Sequence, residues 1–101
     1  MIRLGKTIKK LRIEKELTQG ELAETAGITA SFLSLIENDH REPSLTVLRR
    51  LASALRVPEE ILIWQAVELP ANLNDEDRRL CEMAKIIVSR FYESGYAHAA
   101  S

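Results

Sequence analysis

The stretch Leu17–Glu37, which reads LTQGELAETAGITASFLSLIE, decides how this chain folds. Thr18 is a typical residue to precede a helix, because its hydroxyl can accept a hydrogen bond from the backbone N–H of Glu21, whose carboxylate can accept one in return. Gly27 suits the left-handed backbone conformation that ends a helix. Thr29 can begin a second helix as Thr18 begins the first. The spacing therefore predicts two short helices joined by a tight turn.

The apolar side chains of these two helices are spaced so that they point toward each other. Two helices that cross steeply need a small residue at their closest approach, and Ala23 provides it. The positions predicted to point inward are Leu22, Ala26, Ile28, Leu33 and Ile36. The positions predicted to point outward from the second helix are Thr29, Ala30, Ser31, Ser34 and Leu35. This pattern predicts a helix-turn-helix, whose second helix can enter the major groove of DNA.

The rest of the chain also carries helical patterns, and we find no convincing period-two alternation of a β-strand. One helix is predicted before this stretch, over about 4–15, and three are predicted after it. Of these three, the first begins after Ser44, the second runs from Pro58 to about Glu68, and the last is capped by Asn74. The last helix is predicted to end before Gly95. The predicted fold class is therefore all-α.

Three segments carry a resemblance to a known family: Leu17–Ala23 reads LTQGELA, Ser34–Glu37 reads SLIE, and Pro43–Leu48 reads PSLTVL. At these residues the chain resembles the phage repressor/Cro family, also called XRE-type regulators. The resemblance implies a five-helix, repressor-like DNA-binding domain that contains the helix-turn-helix. We therefore expect this domain in residues 1–69. Residues 70–101 lie outside the resemblance; a C-terminal amphipathic helix is predicted there, and its apolar residues make it the expected dimerisation segment.

The resemblance also implies which residues contact double-stranded DNA. Gln19, together with Asn38 and Arg41 beyond the second helix of the motif, is expected to bind backbone phosphates. Arg12 is expected to pair with Glu37, a structural pairing because a partly buried charge needs a partner. The residues expected to read base edges are Thr29, Ala30, Ser31, Ser34 and Leu35.

The reading residues depart from the common family pattern. Family members often carry Gln, Arg or Asn at these positions, which make bidentate contacts to bases. The short and partly apolar set in this chain can pack on thymine methyl groups and make single hydrogen bonds. We therefore expect an A·T-rich operator, or one selected partly through DNA shape.

Charge is distributed unevenly along the chain. The net charge of the whole chain is −1, but residues 1–57 carry +3 and residues 58–101 carry −4. This asymmetry permits a first half that faces phosphates and an acidic second half that stays away from DNA.

Composition and residue spacing disfavour several functional classes. No apolar run approaches the roughly 20 residues that a membrane span needs. Cys81 is the only cysteine, which suits a reducing compartment, and we expect a cytoplasmic protein. We find no residues at catalytic, metal-binding or phosphate-loop spacing, so we expect no enzymatic activity, no metal and no cofactor.

A second apolar surface is predicted toward the C-terminus. The residues assigned to it are Ile63, Trp64, Leu80, Ala84, Ile87 and Phe91. A homodimer formed by the two C-terminal segments is the preferred interpretation, because an isolated last helix has little else to pack on. The same surface can instead fold back on its own chain or bind another protein, and the sequence leaves these alternatives open.

These features together predict a homodimeric, sequence-specific transcriptional regulator, most simply a repressor on a palindromic operator. One alternative is the antitoxin of a toxin–antitoxin pair, whose last helix would grip the toxin. Another is a protein-interaction module that keeps the fold without binding DNA. The sequence names neither the operator nor the regulated genes, and it does not separate repression from activation or identify an effector.

Overall fold

The computed structural model describes the backbone of residues 3–100 and the side chains of residues 3–91. Within this part of the chain it contains six α-helices and no β-strand, which confirms the predicted all-α fold. The helices are α1 (Leu4–Glu14), α2 (Gln19–Ala26), α3 (Ala30–Glu37), α4 (Leu45–Leu55), α5 (Glu59–Ala66) and α6 (Asp75–Ala100). None of the described helices is long and apolar enough to cross a membrane.

Side-chain caps fix the starts of α2, α3 and α4 at the positions that the sequence indicates. The hydroxyls of Thr18, Thr29 and Ser44 each accept a hydrogen bond from a backbone N–H in the first turn of α2, α3 and α4. Thr18 and Glu21 form the complete reciprocal pair. The hydrogen bond that the Glu21 carboxylate accepts from the Thr18 backbone N–H lowers the pKa of that carboxyl. Gly27 ends α2 in the left-handed conformation, with φ 73°. Short-range chemistry therefore sets these helix boundaries.

Helices α1 to α5 enclose one hydrophobic core, with α2 packed on α3 and α4, and α1 packed on α3 and α5. The largest side chains that are fully removed from water belong to this core: Ile8, Leu22, Leu33, Ile36, Leu51, Leu55 and Leu62. Helix α6 packs on α5. The five-helix body therefore buries its core without help from α6.

Gly5 permits the close approach of α1 to the C-terminal end of α3. A β-carbon at Gly5 would overlap the backbone carbonyl oxygen of Ile36 and lie 2.6 Å from Oδ1 of Asp39. The Ile36 carbonyl belongs to the helix backbone and cannot move aside without displacing α3. The residues next to Gly5 in the sequence give no sign of this close approach.

The prediction for the end of α6 is wrong, because the helix continues through Gly95 to Ala100. A glycine inside a helix costs only about 1 kcal/mol relative to alanine, which does not by itself end the helix. The residues after Gly95 include three alanines, the strongest helix-forming residue.

We predict that Gly5→Ala destabilises the protein by about 3 kcal/mol or more, because the added methyl group meets backbone rather than a flexible side chain. Gly20→Ala is the matched control, since a β-carbon there meets only Thr18 Oγ1 at 3.9 Å. That control is expected to be neutral, or to stabilise α2 by up to about 1 kcal/mol. Urea unfolding of both variants provides the test, and equal stability would contradict the close approach.

Candidate nucleic-acid interface

Helices α2 and α3, joined through Gly27, form a helix-turn-helix whose inner side is buried. Ala23 is buried where α2 packs against its neighbours, as the crossing requires. Leu22, Leu33 and Ile36 contribute to the same core. One side of α3 is therefore fixed in the body, and its other side is presented at the surface.

The surface side of α3 carries small and apolar groups. Ala30, Ser31 and Leu35 are exposed, and Ser34 is half-buried. Thr29 is also exposed, but its hydroxyl oxygen accepts a hydrogen bond from Phe32 N at 3.0 Å. The structure thus brings the five predicted reading positions to one helix, with Thr29 serving also as its cap. This side offers methyl groups and hydroxyls and carries no charged side chain.

The loop after α3 is folded back on the helix. The Asn38 side-chain amide donates to the backbone oxygen of Ser34 at 2.9 Å, and Leu35 O accepts from His40 N at 2.9 Å. The guanidinium of Arg41 lies 5.6 Å from the centre of the Phe32 ring, within the range of a cation–π interaction. Arg41 is therefore held beside α3 while its N–H donors stay at the surface.

A buried carboxylate connects the end of α3 with α1 and α2. Glu37 Oε2 accepts from Arg12 Nε at 2.8 Å, and Glu37 Oε1 accepts from Arg12 Nη2 at 3.1 Å. The Glu37 side chain is 1% exposed and that of Arg12 is 12% exposed. Arg12 Nη1 also donates to the backbone oxygen of Leu17, just before α2. This two-pronged ion pair ties the three helices together.

Gln19 also belongs to this cluster, a contact that the spacing of the sequence does not predict. Its side-chain nitrogen Nε2 donates to Glu37 Oε1 at 3.0 Å, although the two residues lie far apart in sequence. Gln19 is half-buried at the start of α2. The residue assigned to a phosphate is therefore also held from inside by the carboxylate at the end of α3.

Helix α6 contacts the body through polar groups. Lys85 Nζ donates to the backbone oxygens of Gln65 at 3.3 Å and Val67 at 2.6 Å, at the C-terminal end of α5. The side-chain amide of Gln65 donates to the hydroxyl of Ser89, which is buried. A cation at a helix C-terminus is favourable, because it meets carbonyl oxygens that have no partner within the helix.

The apolar residues of α6 face away from the body. Leu80, Ala84, Ile87 and Phe91 are exposed, and Met83, Ile86 and Val88 are exposed beside them. Among the residues assigned to this surface on α5, Trp64 is exposed, whereas Ile63 is half-buried against the core of the body. The helix thus folds onto α5 with its polar side and leaves its apolar side in water.

Residues 8–62 match the family described as helix-turn-helix. The immunity repressor protein of Bacillus phage phi105 is 40% identical over 62 residues, which are 61% of this chain and 43% of the repressor. The HTH-type transcriptional repressor RghR of Bacillus subtilis is 38% identical over 63 residues, which are 61% of this chain and 47% of RghR. This chain therefore spans less than half the length of these two relatives.

A chain of the solved complex of the SinR and SinI proteins resembles this one over its whole length. The two chains share 30% identity with a TM-score of 0.59, and the match covers 100% of each. The family match covers more than half of the chain and coincides with the helix-turn-helix seen in the structure. The chain belongs to the phage repressor/Cro (XRE) family of helix-turn-helix transcriptional regulators, which is not a family of enzymes.

We predict that Glu37→Ala costs about 3–5 kcal/mol of stability, because it leaves the guanidinium of Arg12 partly buried without its partner. Glu59→Ala is the matched control, since Glu59 pairs with Arg49 at 3.0 Å in a more exposed position. That control is expected to cost at most about 1 kcal/mol. Chemical denaturation of the two variants makes the comparison, and losses of equal size would contradict the structural importance of the buried pair.

Proposed function

We propose that the protein is a transcriptional repressor that binds operator DNA by inserting α3 into the major groove. The observation that carries the proposal is the exposed side of α3, where Ala30, Ser31 and Leu35 face solvent on a helix whose other side is fixed in the core. A rigid helix with one free side is what groove insertion requires. A regulator of this kind acts where the DNA is, which supports the expected cytoplasmic location.

Phosphate contacts on both sides of α3 would set its position in the groove. Arg41 is held beside α3 by Phe32, and its charged group remains accessible. Gln19 lies at the start of α2, where the helix dipole favours an anion. Asn38 donates to the backbone of α3, so we assign it to the shape of the loop as well as to the DNA backbone. Such contacts fix register and orientation but carry no sequence information directly.

The proposed operator is A·T-rich at the positions that α3 reads. Leu35 and Ala30 offer apolar contact to the C5-methyl group of thymine, and Ser31 offers one hydroxyl. The reading positions include no arginine or lysine that would hold O6 and N7 of a guanine. Discrimination would then rest on methyl contacts, single hydrogen bonds and the deformability of the duplex.

We further propose that residues 70–101 join two copies of the chain and that residues 1–69 form the DNA-binding domain. Four exposed residues of α6 follow the i, i+4, i+7, i+11 spacing that is typical of a helix–helix interface. We call this set the seam: Leu80, Ala84, Ile87 and Phe91. Burial of a large apolar side chain contributes about 1.5–3 kcal/mol, so covering this seam favours association. Because the polar side of α6 already contacts α5, the seam is left for a partner.

A second copy is the proposed partner, because one seam then covers an identical seam and two recognition helices face one palindromic operator. A different protein on the same helix is the second candidate. The solved chain that resembles this one over its whole length belongs to a complex of two different proteins, SinR and SinI. This similarity supports the second candidate. The oligomeric state of the purified chain separates the two candidates.

We predict that substitutions at the DNA face fall into two groups. Arg41→Ala should weaken binding to all sequences about equally and reduce the salt slope by about one unit, since it removes one phosphate contact. Leu35→Ala and Ser31→Ala should change the preference at particular operator positions, by about 1–3 kcal/mol each. Measurement of DNA affinity at several salt concentrations tests the first effect, and selection from a random DNA pool tests the second.

Arg79→Ala is the control for these variants, because Arg79 is an exposed arginine on α6. It is expected to leave both affinity and preference unchanged. Unaltered binding by Arg41→Ala, Leu35→Ala and Ser31→Ala would show that α3 is not the reading element. A protein-interaction module would then become the better account.

We predict that Ile87→Asp converts the dimer into a monomer, because it places a charge at the centre of the apolar seam. Ile13→Asp is the matched control, since Ile13 on α1 is 56% exposed and Ile87 is 62% exposed. Sedimentation equilibrium should detect a dimer for the wild type and for Ile13→Asp only. A wild-type chain that sediments as a monomer would refute the homodimer and favour a different partner on α6.

A further inference from the structure

Glu37 does more than neutralise Arg12, because its carboxylate also accepts a hydrogen bond from Gln19. Oε1 of Glu37 accepts one hydrogen bond from Arg12 Nη2 at 3.1 Å and another from Gln19 Nε2 at 3.0 Å. Oε2 accepts a hydrogen bond from Arg12 Nε at 2.8 Å. The Glu37 side chain that accepts these hydrogen bonds is 1% exposed. Water therefore does not replace these contacts easily, and the arrangement is fixed.

The carboxylate also determines which way the Gln19 amide is turned. An ionised carboxylate accepts hydrogen bonds and cannot donate them, so the amide must present its nitrogen to Glu37. The reversed amide would set its carbonyl oxygen against the carboxylate oxygen, which is repulsive. The Gln19 nitrogen carries two hydrogens, and the bond to Glu37 uses one of them. The second N–H has no hydrogen-bond partner within the described part of the chain.

We propose that Glu37 is a positioning residue for DNA binding, which turns the Gln19 amide so that its second N–H meets a backbone phosphate. The inference rests on the proposed function, since it names how the phosphate contact of that site is held. A phosphate oxygen only accepts hydrogen bonds, so the nitrogen side of the amide is the useful side. Arg12 balances the charge of Glu37, so the nearby carboxylate does not repel the phosphate strongly.

This arrangement links the two kinds of DNA contact through one side chain. Glu37 is the last residue of α3, and Gln19 is the first residue of α2. The bond between them therefore fixes the phosphate contact relative to the helix that reads bases. A misdirected amide at Gln19 would weaken binding to every sequence, because phosphate contacts do not depend on base identity.

A double-mutant cycle on DNA affinity tests the proposal, with Glu37→Gln, Gln19→Ala and both changes in the full chain. The probes are a duplex recovered by selection from a random pool and a scrambled duplex of equal length. Glu37→Gln should lower affinity for both duplexes by about tenfold when Gln19 is present, and by less than about twofold in the Gln19→Ala background. Equal losses in the two backgrounds would overturn the proposal, because a purely structural role acts without Gln19.

Proton–nitrogen correlation NMR of the Gln19 side-chain amide reports independently on its hydrogen bonds. In the wild type, one amide proton should be shifted by Glu37 before DNA is added, and the other should move when DNA binds. Glu37→Asp keeps the charge but shortens the side chain, so it serves if Glu37→Gln does not fold, and it should abolish the first shift. Gln19 amide protons that have the chemical shifts of a solvent-exposed glutamine in the free wild type would also overturn the proposal.

These experiments distinguish failure of the proposed function from failure of the role proposed for Glu37. If the wild type binds no duplex from the pool, the proposed function fails, and this inference fails with it. If the wild type binds DNA but Glu37 and Gln19 show no coupling, only this inference fails. A cycle with strong coupling and the expected amide shifts supports both.

Discussion

The rest of the structure depends on one buried carboxylate, that of Glu37 at the end of α3. A buried charge is costly unless it is paired, so Glu37 requires the guanidinium of Arg12 at a fixed distance and angle. Because Arg12 lies on α1 and also binds the backbone of Leu17 before α2, this one requirement sets the relative positions of three helices. Gly5 acts at the same end of α3 by letting α1 approach it closely. Helix α3 is thus oriented by polar contacts at its C-terminal end and by the core along its side.

The second constraint is the reversed orientation of α6, with polar groups inward and apolar groups outward. Lys85 and Ser89 form hydrogen bonds with α5, and these bonds fix which side of α6 meets the body. The apolar residues on the outer side gain nothing from this contact. That physical arrangement is why we interpret α6 as an assembly element rather than as a sixth helix of the core.

Features set by neighbouring residues could be predicted from the sequence, and features set by distant residues could not. The caps at Thr18 and Thr29 and the turn at Gly27 are local, so spacing alone was sufficient. Gly5 was missed because its importance comes from Ile36, which only the tertiary structure brings near it. The bond from Gln19 to Glu37 escaped prediction for the same reason.

The C-terminal segment shows the same limit. Its apolar stripe was visible in the sequence, but periodicity does not say which side of a helix meets the body. The partial burial of Ile63 in the core, beside an exposed Trp64, likewise depends on packing rather than on spacing.

Selection of DNA from a random pool, followed by hydroxyl-radical footprinting of the full chain on the recovered duplex, tests the central claim most directly. We predict enrichment of a palindromic, A·T-rich sequence with two protected half-sites on one face of the duplex. Their centres should lie about 10 base pairs apart, because a symmetric dimer presents its two recognition helices one helical turn apart. A pool that shows no enrichment, or protection without any repeated half-site, would contradict it.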